Sequence, residues 1–300
     1  MADLLVLSRS EVERLLDIGV LLGALEKAFI ATSSGGVSVP PRTASLTPDG
    51  LLGVMPAWLP GTLETKLVAV FPGNHEHGLP SHQALIALFD EANGRPLALL
   101  DGTHITAVRT AAGSAVATRL LARPDARTVA ILGGGVQGRW HQEIFGTHLG
   151  FADIRVATRS RGDSFADAVR GADIVCCCTD AEEPVVEPEW ITAGMHVNSV
   201  GGSIRGRGEL PVPLVKTARL FVETRVTFQA PPAGAPELKG LDPAAASELG
   251  DVLSGRRPGR RSPEEVTVYK SVGHAVEDAC AARLVYDRAL AEGVGTTVTI

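Results

Sequence analysis

Val129-Ala130-Ile131-Leu132 runs directly into Gly133-Gly134-Gly135-Val136-Gln137-Gly138. Four consecutive apolar residues read as a buried strand. The glycines fit G-x-G-x-x-G, with Gly133, Gly135 and Gly138 in the three glycine places. That spacing suits a chain that must turn tightly, let its backbone approach a pyrophosphate, and pack a helix closely on a strand, because a side chain would obstruct each of these. The helix that follows, expected to run to about His148, would offer unpaired N–H groups and the positive end of its dipole to the phosphates. With a second strand at Ile154-Arg155-Val156-Ala157, the segment predicts a dinucleotide-binding βαβ unit in a doubly wound parallel sheet. Gly133, Gly135, Val136, Gln137 and Gly138 are its expected phosphate contacts.

The second strand ends in Thr158-Arg159-Ser160-Arg161, about 20 residues past the glycines, where an NAD-preferring site carries an acidic residue for the ribose hydroxyl. A carboxylate there would repel a 2′-phosphate, whereas a guanidinium and hydroxyls would bind it. The expected cofactor is therefore NADP(H), with Arg159 as the main contact and Thr158, Ser160 and Arg161 around it. Exposed loop arginines would look the same. Only a short segment then separates Ser160 from Asp173, too little for a helix, a further strand and a connection. The sheet is expected to lack its outer strand on the adenine side.

Working outward, Ser164–Ala172 reads as a short helix and Asp173–Thr179 as a buried strand holding Cys176, Cys177 and Cys178. Neighbouring strand residues face opposite ways, so these three cannot converge on a metal, and small apolar filler is the better reading. Further strands are expected at Met195–Val200, Leu220–Glu223 and Val266–Tyr269, with residues 229–262, rich in Pro, Gly and Ala, as loops with one short helix. Before Arg123-Pro124 the pattern differs. Ser8-Arg9-Ser10-Glu11 is a capping box opening two amphipathic helices, through Val12, Leu15 and Leu16 and then Leu21, Leu25, Ala28 and Phe29. Past Pro40-Pro41-Arg42 the chain turns strand-like. Glu64–Phe71, Ala84–Phe89 and Pro96–Leu100 are strands, the last two joined through Asn93-Gly94, a hairpin signal. A helix of small residues spans roughly Thr106–Leu121, and Ala275, Val276, Ala279, Cys280 and Leu284 mark a C-terminal helix. The N-terminal part thus forms a mixed α+β domain of its own.

Composition narrows the function classes. The chain has 300 residues, 45% of them hydrophobic, enough for about two domains. Its 28 basic and 34 acidic residues give a net charge of −6, which offers no reason to expect a nucleic acid or a membrane surface as partner. The basic cluster Arg256-Arg257-Pro258-Gly259-Arg260-Arg261 reads as a solvated loop. No apolar run approaches the ~20 residues of a membrane span, and Met1-Ala2-Asp3 does not open a signal peptide, so a cytoplasmic protein is expected. Neither H-E-x-x-H nor paired C-x-x-C occurs, and no metal is implied.

Several strings in order along the chain resemble the ornithine cyclodeaminase and mu-crystallin family. They are Gly78-Leu79-Pro80-Ser81-His82, Leu100–Ala112 with its Arg109-Thr110-Ala111-Ala112, Ile131–Gln137, Val197–Gly202, Glu248–Gly255 and Tyr269–Asp278. The shortening after Arg161 is the main departure. The resemblance implies a substrate and dimerisation domain of residues 1–122 plus 274–300, with a nicotinamide-binding domain, 123–273, inserted, and commonly a homodimer. It implies hydride transfer at the α-carbon of a small amino or imino acid. It also places the substrate carboxylate on Arg42, Lys66 and Arg109, with Met55 and Ser81 lining the pocket and Thr110, Thr179, Val200, Gly201 and His274 joining the cofactor contacts. Local chemistry agrees: Lys66 interrupts an apolar strand and Arg109 a helix of small residues, and burying a cation is costly unless an anion meets it.

One position separates the reactions of the family. Cyclising members carry an aspartate after the paired glycines, where this chain has Ser203, as mu-crystallin also does. Serine can hydrogen-bond an imine or a water but is no carboxylate base. The expected activity is NADPH-dependent reduction of a preformed cyclic ketimine carboxylate, with Lys66, or water held by Ser203, as the proton source. Amino acid cyclodeamination or dehydrogenation is the first alternative, and a cofactor-shaped ligand-binding protein the second. Glu277 and Asp278, adjacent on a helix, are expected to diverge, at least one capping or pairing with Arg283. Of His82, His104 and His274, only the last lies within a family string.

Overall fold

A computed structural model describes residues 3–202, 206 and 208–300. In chain order the elements are β1 (Asp3–Leu7), α1 (Arg9–Leu15), α2 (Ile18–Ser33), β2 (Thr43–Leu46), β3 (Leu51–Leu59), β4 (Thr62–Val70), β5 (His82–Phe89), β6 (Pro96–Asp101), α3 (Gly102–Leu121), β7 (Thr128–Leu132), α4 (Val136–Thr147) and β8 (Asp153–Ala157). There follow α5 (Phe165–Val169), β9 (Ile174–Cys177), β10 (His196–Ser199), α6 (Val212–Thr217), β11 (Arg219–Val222), β12 (Ser247–Glu248), α7 (Leu249–Leu253), β13 (Thr267–Lys270), α8 (Ala275–Glu292) and β14 (Thr296–Thr299). They fall into two compact units, Met1–Arg109 with Ala275–Ile300, and Thr110–His274. The division lies inside α3 rather than after it. The second half of that helix belongs to the second unit because Ser114 hydrogen-bonds His141 and Thr118 hydrogen-bonds Asn198 there.

The first unit is a mixed sheet in the order β14-β1-β6-β5-β4-β3-β2. Strands β2 to β6 are an antiparallel meander, while β1 pairs parallel with β6 and antiparallel with β14. The strict in–out alternation of β3 and β4 buries Leu51, Met55 and Ala57 on one strand and Glu64, Lys66 and Val68 on the next. Helix α8 packs on this inner face, across β3, β4 and β5, with α2 against it. Each Leu, Val or Phe withdrawn there contributes roughly 1.5–3 kcal/mol. Helix α1 opens on the capping box, the Ser8 N–H donating to the Glu11 carboxylate at 2.7 Å. The sequence reading omitted β1 and β14, short terminal strands specified by each other's pairing rather than by local pattern.

The second unit is an all-parallel sheet in the order β12-β11-β13-β10-β9-β7-β8. Chain order reverses beside β7, between β8 and β9, which makes the crevice at their C-terminal ends the expected ligand site of a doubly wound fold. Among the described residues β8 is the sheet's edge, so the outer strand is lacking as the short Ser160–Asp173 segment implies. Cys176, Cys177 and Cys178 are buried free thiols, and burial pushes Cys176 up to about 12. They fill the core. No helix among the described residues is long and apolar enough to cross a membrane.

Candidate active site

Two groups of residues, one in each unit, form the candidate site. In the first unit, β4 places Glu64 and Lys66 two residues apart on its inner face, under the first turns of α8. Lys66, 1% exposed, sets its ammonium 2.6 Å from the Asp278 carboxylate and 3.4 Å from the Thr106 hydroxyl. Arg109 on α3 donates to both acidic residues of α8: Nε to Asp278 at 3.0 Å and Nη1 to Glu277 at 2.6 Å. Glu277 and Asp278 therefore converge on one guanidinium instead of diverging, because the fork of Arg109 spans their two directions. Arg283 pairs instead with Asp287, one helical turn along.

The electrostatics are uneven. Burial opposes ionisation of Asp278, but Arg109 and Lys66 outweigh it and hold the carboxyl below its ordinary range. Burial pulls the Lys66 ammonium down to about 8, with Arg109 and Arg42 lowering it further and Asp278 opposing them. Glu64 is pushed well above the usual carboxyl range, by burial first and then by Asp278. Among the described residues, neither of its buried oxygens has a hydrogen-bond partner. The cluster thus sets Lys66 and Arg109 against Glu277 and Asp278, with half-buried Arg42 near enough to be felt and Glu64 shifted toward its neutral form.

Met55 is buried directly opposite Lys66 in the β3–β4 register. Ser81 is not part of this cluster. β5 pairs Ile86 with Lys66, so Ser81 lies five residues further along, on the order of 16 Å by strand rise. His104 is buried at the start of α3 beside Glu13, at 3.4 Å, and burial lowers its pKa. Glu64, absent from the sequence reading, had a signal there: a carboxyl at i−2 in a strand shares a face with the lysine.

In the second unit the glycine loop joins β7 to α4. Gly133 has φ +114°, and a Cβ on it would meet the Cys178 carbonyl oxygen at 2.4 Å. A Cβ on Gly138 would lie 1.9 Å from the Gly133 oxygen, whereas one on Gly135, the N-cap of α4, would meet nothing within 4 Å. The outer two glycines are thus required by close packing and the middle one borders open space, the shape a pyrophosphate cradle needs. Val136 and Gln137 begin α4, and the Gln137 carbonyl is tied to buried His141, whose ring burial keeps neutral with a pKa of about 4.

Beyond β8, Thr158 is buried and Arg159, Ser160 and Arg161 form an exposed 3-10 turn. The two arginines differ. Arg161 pairs with Asp163 at 2.8 Å and donates to the Val156 carbonyl, while Arg159 stacks its guanidinium 5.3 Å over the Phe165 ring. Asp163 also accepts the Thr158 N–H, and that bond, with Arg161, holds its carboxyl below the usual range. Thr179, Val200 and Gly201 follow β9 and β10, Thr110 is buried in α3, and His274 precedes α8. Ser203 lies outside the described residues.

The ornithine cyclodeaminase/mu-crystallin family model matches residues 2–163 and 160–293. Ketimine reductase mu-crystallin of Mus musculus is 41% identical over 305 residues, covering 94% of this chain and 96% of the relative. The chain belongs to the ornithine cyclodeaminase/mu-crystallin family. Delta(1)-pyrroline-2-carboxylate reductase of Thermococcus litoralis, solved with NADH and L-proline, superposes with a TM-score of 0.88 at 35% identity over 98% of this chain and 100% of that one. An archaeal alanine dehydrogenase dimer with bound NAD gives a TM-score of 0.86 at 29% identity, covering both chains completely. This member of the family is an oxidoreductase working on carbon–nitrogen bonds with a nicotinamide dinucleotide.

Proposed function

We propose that this chain reduces a small cyclic imino acid, a five- or six-membered ketimine carboxylate, with NADPH. The observation that carries this reading is that two buried cations, Lys66 and Arg109, meet on one carboxylate, Asp278, at 2.6 and 3.0 Å. A substrate carboxylate would join them there, and Arg42, Lys66 and Arg109 are the side chains to hold it. Gripping that carboxylate fixes the adjacent C=N unit, an orientation effect. The glycine loop would hold the pyrophosphate and Arg159 the 2′-phosphate, with the bound nicotinamide supplying the hydride. Lys66, its ammonium loosened by burial, holds at Nζ the proton that the imine nitrogen requires. Asp278 keeps that ammonium in place at 2.6 Å. Ser203, standing where cyclising relatives carry aspartate, favours reduction over cyclodeamination.

The test is NADPH and NADH oxidation measured with Δ1-pyrroline-2-carboxylate and Δ1-piperideine-2-carboxylate, alongside ammonia release from ornithine, lysine and alanine. Imine-dependent oxidation with a preference for NADPH supports the reading. Ammonia release without imine turnover refutes it in favour of a deaminase, and tight NADPH binding with neither reaction refutes it in favour of a binding protein.

We further propose that the chain acts as a homodimer through the outer face of the first unit's sheet. Leu52, Trp58, Leu67 and Leu85 stand exposed there on three adjacent strands, an apolar patch of the kind that marks an interaction surface. The occupant we assign is a second copy, as the archaeal alanine dehydrogenase is a dimer. Light scattering of Leu67→Glu should show monomers where the parent shows dimers; a parent that is itself monomeric disproves the assignment.

A further inference from the structure

We propose that Glu209 and Lys270 are positioning residues for the cofactor, which grip Gly201 by its N–H and its carbonyl and so fix the backbone where it leaves β10. This inference rests on the cofactor reading above. Glu209 and Lys270 are fully buried, which is costly for an ion unless it is well paired. Each is fully used. Oε2 of Glu209 accepts the Gly201 N–H and the Ser199 hydroxyl, both at 2.8 Å, and Oε1 accepts the Thr179 N–H at 2.6 Å and its hydroxyl at 2.7 Å. Lys270 donates to the Gly201 carbonyl at 2.5 Å and to Ser199 Oγ at 3.0 Å, and pairs with Glu237 at 2.9 Å. Because an ammonium has donors only, Ser199 must accept from Lys270 and turn its own proton to Glu209.

Both loops held this way leave the C-terminal ends of adjacent parallel strands, Thr179 from β9 and Gly201 from β10. That is the edge on which open parallel sheets bind ligands. A Cβ on Gly201 would lie 1.8 Å from the Thr179 carbonyl oxygen and 2.8 Å from the Glu209 carboxylate, so the two loops are pressed together with the carboxylate between them. Thr179, Val200 and Gly201 are among the residues that the family resemblance assigns to the cofactor. A charge-tied backbone presents them already ordered, and ordering need not then be supplied by binding.

The chemistry of the clasp sets its test. Each oxygen of Glu209 accepts one backbone N–H, so the amide of Glu209→Gln, whichever way it turns, faces one of them with an NH2. Quenching or enhancement of NADPH fluorescence reports binding without any imine turnover. In Glu209→Gln the Kd and KM for NADPH should rise about tenfold or more, while the KM for the imino acid and kcat at saturating NADPH stay within about threefold. Ser199→Ala, which removes the hydroxyl linking Lys270 to Glu209 and leaves every charge in place, should give the same split at smaller amplitude and keeps the test open if Glu209→Gln folds poorly. NADPH binding unchanged in both variants, or both Michaelis constants rising together with a loss of folded protein, overturns the proposal. So does a wild type that binds neither NADPH nor NADH. A wild type that binds NADPH but reduces no imine defeats the proposed reaction and leaves the clasp to be judged on binding alone.

Discussion

The two buried ionic clusters are built from the same side chains to opposite ends. Around Lys66, the cations and the acidic residues of α8 pair with one another, and burial pushes Glu64 well above the usual carboxyl range. Around Lys270, two carboxylates face one ammonium, and Glu209 spends its oxygens on backbone N–H groups and hydroxyls. A cluster of side chains paired with one another can re-pair around a ligand's charge. One whose carboxylate and ammonium grip backbone N–H and carbonyl groups is shaped to hold the chain. Burial and ion pairing are common to both, so neither identifies a binding site; what the charges grip does.

If that contrast is right, the largest effect belongs to Lys66→Met. Losing both the grip and the proton should lower kcat/KM for the imino acid by about 10³–10⁴-fold, with NADPH fluorescence unchanged. The same ammonium predicts a pH limit. Its folded pKa is depressed to about 8, so kcat/KM should be level below that value and fall about tenfold per pH unit above it. A profile flat to pH 10 would place Lys66 outside the chemistry. Next comes Asp278→Asn, which strands two buried cations with a single carboxylate. Unfolding in urea should show a loss of about 3–5 kcal/mol. A loss under about 1 kcal/mol would mean that the cluster tolerates surplus charge and that the contrast with Lys270 is empty.

A third, smaller effect separates the two arginines after β8. Arg159→Leu should lower kcat/KM with NADPH about ten- to a hundredfold, by loss of charge-assisted hydrogen bonds, and leave NADH unaffected. Arg161→Leu should change the preference less than threefold, because Asp163 already occupies that guanidinium. Equal effects would show that the 2′-phosphate lies between them.

Legibility in the sequence followed the range of the interaction. Strand β7, the glycine loop and α4 were readable because sterics act over a few residues: Gly138 has no room for a Cβ against the Gly133 oxygen. The missing outer strand could be inferred from segment length alone. Lys66 and Arg109 stood out as charges breaking apolar patterns, but their partners on α8 are distant in sequence, Arg109 lying 168 positions from Glu277 and 169 from Asp278. Nothing local at Glu277-Asp278 showed that one arginine fork would bring both together. Glu209 and Glu237 carry no local mark at all; Glu209 lies in irregular chain and Glu237 in a short 3-10 turn, and each is named only by the ammonium or peptide it meets. Strands β1 and β14 pair across nearly the whole chain, and a four- or five-residue strand has too little pattern to announce itself.

Glu64 offers the smallest effect and the finest test of the comparison, because it decides whether the first cluster is tuned for charge or merely crowded. Its folded pKa is raised above the unfolded value near 4.5, so the native state retains a proton that the unfolded chain releases. Whatever stability it contributes is complete below the unfolded pKa and is lost as pH rises through the window up to the folded one, at about 1.4 kcal/mol per pH unit inside that window. Glu64→Gln keeps the shape and removes the titration. The variant should match the parent near pH 4 and then exceed it by a growing margin as pH rises, read as a Tm difference across a buffer series. A constant difference at every pH would mean that Glu64 is ionised in the folded protein. The cluster would then carry one more negative charge, and the electrostatic case for a carboxylate-bearing substrate would weaken.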